Sequence, residues 1–369
     1  MKITVVANTS WNIFNFRLPL LRELESFGHE VHVIAPIDDY TEELKKKVTH
    51  FHPITLSRKG TNPFKDISLF LQFLHLYKSI KPQLSIQYTI KPNIYGVLAA
   101  RRYHIPCICN VTGLGTVFLH DSLGSKIAKR LYKYSFKHSQ LVFFQNTADR
   151  DLFVEKGLCK PQITDIIPGS GINTHHFQQE KHSEQKTFTF AYVGRMLFDK
   201  GIVELIEAIK EFKKSGYKAS FIFAGAVETE ADLGITKDMI QAWEKEGLIH
   251  YANVVKDMKT FLAEIDCVVL PSYREGTPRA LLEAASMSLP IVATNVPGCK
   301  EVVIDEKNGF LCEPKNSHSL LEALKKMVSL PLNNRLLMGQ AGRKRVKECF
   351  SDKVVLTKYR SAINNLVSR

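Results

Sequence analysis

The sequence predicts an α/β protein made of two doubly wound, parallel-sheet domains. Three observations carry that prediction. Short β-branched runs alternate with amphipathic helical stretches along the whole chain. A polar, histidine-rich and strand-poor segment, Asn173 to Lys186, interrupts the series near its middle. At 369 residues and 44% hydrophobic, the chain has enough apolar material for two cores.

In chain order, the first series of strands comprises Ile3 to Ala7, Val31 to Ala35, Leu84 to Gln87, Pro106 to Asn110 and Leu141 to Phe144. The second begins near Phe188, in the alternating Thr187-Phe-Thr-Phe-Ala-Tyr-Val193. It continues through Ser220 to Ala224, Cys267 to Leu270, Pro290 to Ala293 and Phe310 to Cys312. The implied division is 1–172 for the first domain, 173–186 for a linker and 187–350 for the second domain. A terminal helix follows over 351–369, with Val354, Val355, Tyr359, Ile363 and Leu366 on its apolar side. Two such sheets facing each other place their strand carboxyl ends, and so their loops, along one cleft.

Two loops carry candidate chemistry. In Pro271-Ser-Tyr-Arg-Glu-Gly-Thr-Pro-Arg-Ala-Leu-Leu-Glu283, an apolar strand ends at Pro271 and a Gly276-Thr-Pro278 turn opens a helix. A helix N-terminus at a strand's carboxyl end favours an anion such as phosphate. Glu275 lies before that helix and Glu283 one turn inside it, placed for different parts of one extended ligand. Taken alone, such a pair reads more simply as a solvated glutamate and a capping residue. The second loop, Gly194-Arg-Met-Leu-Phe-Asp-Lys-Gly201, follows another strand and opens a helix through Ile202, Leu205, Ile206 and Ile209. Its Arg195 and Lys200 supply a guanidinium fork and an ammonium suited to a diphosphate whose charge grows as it leaves.

The pattern Gly194-Arg-x4-Lys-Gly201 followed by Glu275-x7-Glu283 resembles the donor site of the retaining nucleotide-sugar glycosyltransferases of family 4, which have the GT-B architecture. The resemblance implies two Rossmann-like domains facing a central cleft, with the final helix crossing back to the first. It implies that Arg195 and Lys200 bind the donor diphosphate, Glu283 binds the ribose and Glu275 lies near the transferred sugar. Arg195, Lys200 and Glu275 are then the catalytic candidates. Gly194, Val254, Gly276, Thr277, Pro278 and Leu281 complete the donor set, with UDP as the expected carrier. Tyr88-Thr-Ile-Lys-Pro-Asn-Ile-Tyr-Gly96 and Asn110-Val-Thr-Gly-Leu-Gly115 resemble a subgroup that includes the CapM-like capsule enzymes. It also includes the N-acetylgalactosaminyltransferases that extend diacetylbacillosamine on undecaprenyl diphosphate. The acceptor candidates are Asn15, Arg17, Lys91, Thr112, Gly113, Lys129 and Arg130, with Trp11 and Phe14 available to stack on a sugar. Many relatives carry a glycine-rich pair after the first strand and a histidine after the strand corresponding to Pro106–Asn110. Here Asn8-Thr-Ser10 and Val111-Thr112-Gly113 stand instead.

The net charge is +13, of which +9 falls in residues 1–186 and +4 beyond. Lys126, Lys129, Arg130, Lys133 and Lys137 recur at helical spacing, with Ile127, Leu131, Tyr134 and the nearby Val117-Phe118-Leu119 as apolar surface. This suits a helix lying on an anionic membrane, where each basic residue contributes about 1 kcal/mol. It equally suits a core-packed helix with a wet face. No nucleic-acid-binding module accompanies the basic charge, so nucleic acid is not an expected partner. Met1-Lys-Ile-Thr-Val-Val-Ala7 is strand-like and no apolar run is long enough to span a bilayer. The expected location is therefore the cytoplasm, peripheral at the inner face of the plasma membrane. The seven cysteines show no paired spacing and read as buried thiols. With no zinc spacing, no P-loop and no Asp-x-Asp in a strand-end loop, no metal or cofactor is expected beyond the nucleotide sugar itself. A nucleotide-sugar epimerase and a non-catalytic scaffold of the same fold are the alternative readings.

Overall fold

The computed structural model describes residues 1–57, 62–114, 123–178, 187–227 and 234–367. The chain forms two compact units, Met1–Ser170 with Lys353–Arg369, and Gly171–Asp352.

The first unit is a seven-stranded parallel sheet of β1 (Lys2–Val6), β2 (Glu30–Ala35), β3 (His50–Pro53), β4 (Leu84–Tyr88), β5 (Cys107–Val111), β6 (Leu141–Phe144) and β7 (Thr164–Ile166). The spatial order is β3-β2-β1-β4-β5-β6-β7. Strands covered on both faces need apolar residues at nearly every position, and β1, β4 and β5 are wholly or almost wholly buried. One face packs against Phe73 and Tyr77 of α2 (Pro63–Ile80) and Tyr132 and Phe136 of α3 (Leu123–Phe136). The other face packs against α1 (Ser10–Phe16) through Ile13 and against Val355, Tyr359 and Ile363 of the C-terminal helix (Asp352–Val367). That helix is tied in by a buried polar chain. The Tyr88 and Tyr359 hydroxyls lie 2.7 Å apart, and Tyr359 donates to Asn110 Oδ1 at 2.5 Å.

The second unit is a six-stranded parallel sheet of β8 (Thr189–Val193), β9 (Ser220–Ala224), β10 (His250–Tyr251), β11 (Cys267–Leu270), β12 (Ile291–Thr294) and β13 (Gly309–Cys312). Its order, β10-β9-β8-β11-β12-β13, reverses direction between β8 and β11, just as the first sheet does between β1 and β4. In open α/β sheets such a switch point opens a crevice outside the strands' carboxyl ends.

The sequence series omitted β3, β7 and β10, which are short edge or near-edge strands. The expected boundary also shifts. Residues from Gly171 onward belong to the second unit, where Phe177 is buried in the core and its carbonyl accepts from Ser286 Oγ at 2.6 Å and Arg343 Nη1 at 2.9 Å. These contacts fix 171–178 to the second domain, and residues 179–186 of the expected linker lie outside the described residues. The cysteines are all free, six of them buried and Cys349 exposed.

Candidate functional site

In the second unit, the loops after β8 and β11 meet at the switch point because two glycines allow their backbones to touch. Gly201, at φ +70°, caps α4 (Ile202–Lys214), and a Cβ there would stand 2.0 Å from the Pro271 carbonyl oxygen. Gly298, at φ +89°, presses on the other side of the loop, where a Cβ would stand 2.6 Å from the carbonyl oxygens of both Glu275 and Gly276. Any other residue at either position combines a left-handed backbone with a clash. Backbone bonds from Tyr273 N to Asp199 O (2.9 Å) and from Glu275 N to Pro297 O (3.1 Å) complete the junction.

This packing brings Lys200 and Glu275 together. Lys200 Nζ lies 2.5 Å from Glu275 Oε1, and Ser272 Oγ donates to the same oxygen at 2.7 Å. Each charged side chain is only 15% exposed. Arg195 is exposed on the same loop. Its carbonyl accepts from the buried Tyr192 hydroxyl at 2.7 Å, while Gly194 N donates to Ala224 O. Glu275 is followed by Gly276, Thr277 and Pro278, and Pro278 is the N-cap of α5 (Arg279–Ser286), which no side chain caps.

Glu283, inside α5, pairs with Arg279 at 2.9 Å, and Arg279 Nη1 donates to Gly171 O at 2.5 Å. Burial raises the Glu283 carboxyl above the usual glutamate range, and the neighbouring Arg279 partly offsets this. Leu281 is fully buried in the core, and its N–H donates to Pro278 O, so its side chain supports the helix. Val254 is exposed in the loop after β10, next to Asn253, whose carbonyl accepts from Gly225 N at 2.8 Å.

The acceptor candidates fall at the carboxyl ends of the central strands of the first unit and on α3. Asn15 folds back on its own helix, Nδ2 donating to Trp11 O at 2.9 Å. Arg17 is 4% exposed and its guanidinium lies 3.9 Å from the Tyr88 ring centroid. Its enclosed Nε has no hydrogen-bond partner, and no carboxylate pairs with it, among the described residues. Lys91 is already neutralised, 2.6 Å from Asp66 Oδ1 of α2. Thr112 and Gly113 follow β5 half-buried, with Gly113 at φ +127°. Gly115 and Val117-Phe118-Leu119 lie outside the described residues. On α3, Lys129 is half-buried and Lys126, Arg130 and Lys133 are exposed beside exposed Ile127 and Tyr134, with exposed Lys137 just past its end.

Sequence reasoning missed Ser272, Asp66 and Arg279 as partners. Only the last left a signal, its four-residue spacing to Glu283.

Residues 173–345 match the model described as glycosyl transferases group 1, and residues 2–146 match glycosyl transferase 4-like. The chain belongs to the family 4 glycosyltransferases. This glycosyltransferase is 27% identical over 341 residues to the Campylobacter jejuni N,N'-diacetylbacillosaminyl-diphospho-undecaprenol alpha-1,3-N-acetylgalactosaminyltransferase, covering 88% of each chain. It is 26% identical over 349 residues to the Escherichia coli UDP-Gal:alpha-D-GlcNAc-diphosphoundecaprenol alpha-1,3-galactosyltransferase, covering 87% of each. Among solved structures, Anabaena HepE in complex with UDP-glucose superposes with a TM-score of 0.82 at 17% identity, covering 99% of this chain and all of that one. That likeness establishes the GT-B fold of the glycosyltransferase.

Proposed function

We propose that this glycosyltransferase moves an N-acetylhexosamine or hexose from a UDP-sugar to a sugar hydroxyl on a polyprenyl-diphosphate-linked saccharide, with retention of anomeric configuration. The product would serve bacterial capsule, O-antigen or protein-glycan assembly. The observation that carries the reading is the Lys200–Glu275–Ser272 cluster at the switch point, with Arg195 exposed beside it. A donor diphosphate competes with Glu275 for the Lys200 ammonium. Its arrival frees Glu275 Oε1 to accept from a hydroxyl of the transferred sugar. Arg195, Lys200 and the dipole of α5 then stabilise the charge that develops on the leaving diphosphate. The departing phosphate takes the acceptor hydroxyl's proton on the same face, so the chain needs no separate base and no metal. Glu283 accepts from the ribose hydroxyls, and backbone groups near Gly225 and Val254 meet the uracil.

On the first unit, Arg17 is the strongest acceptor-side candidate, because a buried guanidinium with no acidic partner among the described residues calls for an anion such as the acceptor diphosphate. The exposed Lys126, Arg130, Lys133 and Lys137 with Ile127 and Tyr134, and the exposed apolar stripe Phe64, Ile67 and Leu71 on α2, suit an anionic membrane surface. No helix among the described residues is long and apolar enough to cross a membrane, and the contact proposed is peripheral, at the inner leaflet. Co-sedimentation with anionic vesicles tests it: the triple reversal of Lys129, Arg130 and Lys133 to glutamate should release the protein. Unchanged sedimentation contradicts the membrane reading. Incubating the protein with UDP-sugars and no lipid tests the chemistry, since a stable donor fits a transferase and a changed donor sugar identifies an epimerase.

A further inference from the structure

The edge of the first sheet carries a cluster that the transfer reaction does not use. Glu30 and His32 are two apart on β2, and His50 and His52 are two apart on β3, so each pair shares one face of its strand. The strands are parallel neighbours with His32 opposite His50 and Ile34 opposite His52. His32 Nε2 lies 2.9 Å from Glu30 Oε1, and His50 Nε2 lies 3.8 Å from that same oxygen. One ligand atom from each of Glu30, His32 and His50 falls within a 4.8 Å set. We infer that Glu30, His32 and His50 form a binding site for one divalent transition-metal ion of the zinc type, with His52 orienting His32.

The spacing supports this. Metal bonds of about 2.0–2.2 Å in a tetrahedral site hold its ligand atoms roughly 3.3–3.6 Å apart. The two observed separations from Glu30 bracket that range, and the half-exposed His50 ring is the one that must close. The fourth position stays open to water. His32 is buried, and its ring stacks on His50 at 4.4 Å and on His52 at 5.2 Å. Its Nδ1 lies 2.9 Å from His52 Nε2. Without metal, His32 Nε2–H donates to Glu30 and His52 Nε2–H donates to His32 Nδ1. With metal on His32 Nε2, both rings change tautomer and His32 Nδ1–H donates to His52 Nε2, the outer-sphere bond that typically fixes a ligating histidine. The competing cation is Lys2, 3.4 Å from Glu30 Oε1, on an exposed side chain that a divalent ion displaces.

The position defines the role. Glu30 and His50 begin their strands, at the amino end of the sheet, whereas ligands of open α/β sheets bind beyond the carboxyl ends. The ion therefore clasps the four-residue edge strand β3 to β2 and takes no part in transfer.

The test uses the full, untagged chain stripped of metal, titrated with Zn²⁺ in a calorimeter and with Co²⁺ in a spectrophotometer. One equivalent of each should bind, Co²⁺ giving the visible absorption of a site with nitrogen and oxygen ligands, and Zn²⁺ should raise the melting temperature. His50→Ala and the isosteric Glu30→Gln should each weaken Zn²⁺ more than 100-fold, and His52→Ala about 10–100-fold with a shifted Co²⁺ spectrum. Circular dichroism confirms that each variant is folded. Absence of stoichiometric binding, or wild-type affinity in folded Glu30→Gln and His50→Ala, overturns the inference. The transfer rate should not change when Zn²⁺ is added or removed.

Discussion

Replacing Lys200 by Met keeps the apolar stem and removes the ammonium that holds Glu275. At 2.5 Å and an effective dielectric of about 20, the attraction lost is roughly 6–7 kcal/mol before desolvation is counted. Exposed pairs return less than about 1 kcal/mol on mutation, and breaking a buried pair costs about 3–5 kcal/mol. With both side chains 15% exposed and Ser272 still bonded to Glu275, a net loss of about 2–3 kcal/mol is expected. In a unit of this size that lowers the melting temperature by about 5–10 °C. Turnover should fall by about 10²–10³, or roughly 3–4 kcal/mol, because the leaving diphosphate loses a cation. Adding Glu275→Gln removes the orphaned carboxylate and keeps the bond to Ser272, so the double variant should recover about 1–2 kcal/mol of stability and none of the turnover. Calorimetric melting and initial rates on the three variants measure both quantities. A double variant as unstable as Lys200→Met, or one that regains turnover, would refute the dual role given to this ammonium.

Three further outcomes are expected. Folding raises the Glu283 pKa, so its protonation on acidification begins above the ordinary glutamate range. The donor KM should rise as pH falls through that region, and Glu283→Gln should flatten this limb in steady-state profiles while raising KM throughout. Arg17→Met removes a buried charge that no carboxylate pairs among the described residues but keeps the stem against Tyr88; chemical denaturation should show no loss of stability, while the acceptor KM rises at least about 10-fold. Gly298→Ala forces a Cβ against two carbonyl oxygens at φ +89° and should cost about 1–3 kcal/mol, with a lower kcat from the displaced Glu275 loop, both readable from melting curves and rates.

The central strands were legible because burial on both faces leaves nothing but apolar runs, as in Cys267-Val-Val-Leu270. The edge strand His50-Phe-His-Pro53 and the two-residue His250–Tyr251 carry no such run, and only pairing with a neighbour makes them strands. The segment Asn173–Gln178 reads as a linker by composition, yet the buried Phe177 ring and the Arg343 bonds to the Thr174 and Phe177 carbonyls anchor it to the second domain. In the candidate site, spacing gave the charged residues but not their company. Lys91 and Asp66 are 25 residues apart, and nothing local joins them. Arg17 was legible as an acceptor-side candidate from its place after the first strand, but arginine is almost never buried without a partner, and its burial emerges only from its packing over Tyr88. Glu30-x-His32 and His50-x-His52 were visible as text, but their register required the sheet.

The central claim is transfer from a nucleotide diphosphate sugar to a lipid-diphosphate saccharide by the Arg195, Lys200, Glu275 and Glu283 set. The most direct measurement is mass spectrometry of short-chain polyprenyl-diphosphate saccharides incubated with individual UDP-sugars. One donor should add a single hexose or N-acetylhexosamine mass with retained configuration, and Arg195→Ala and Glu283→Ala should abolish or strongly slow the shift. Wild-type product in both variants, or no mass shift with any nucleotide sugar on any lipid-diphosphate saccharide, would contradict the central claim.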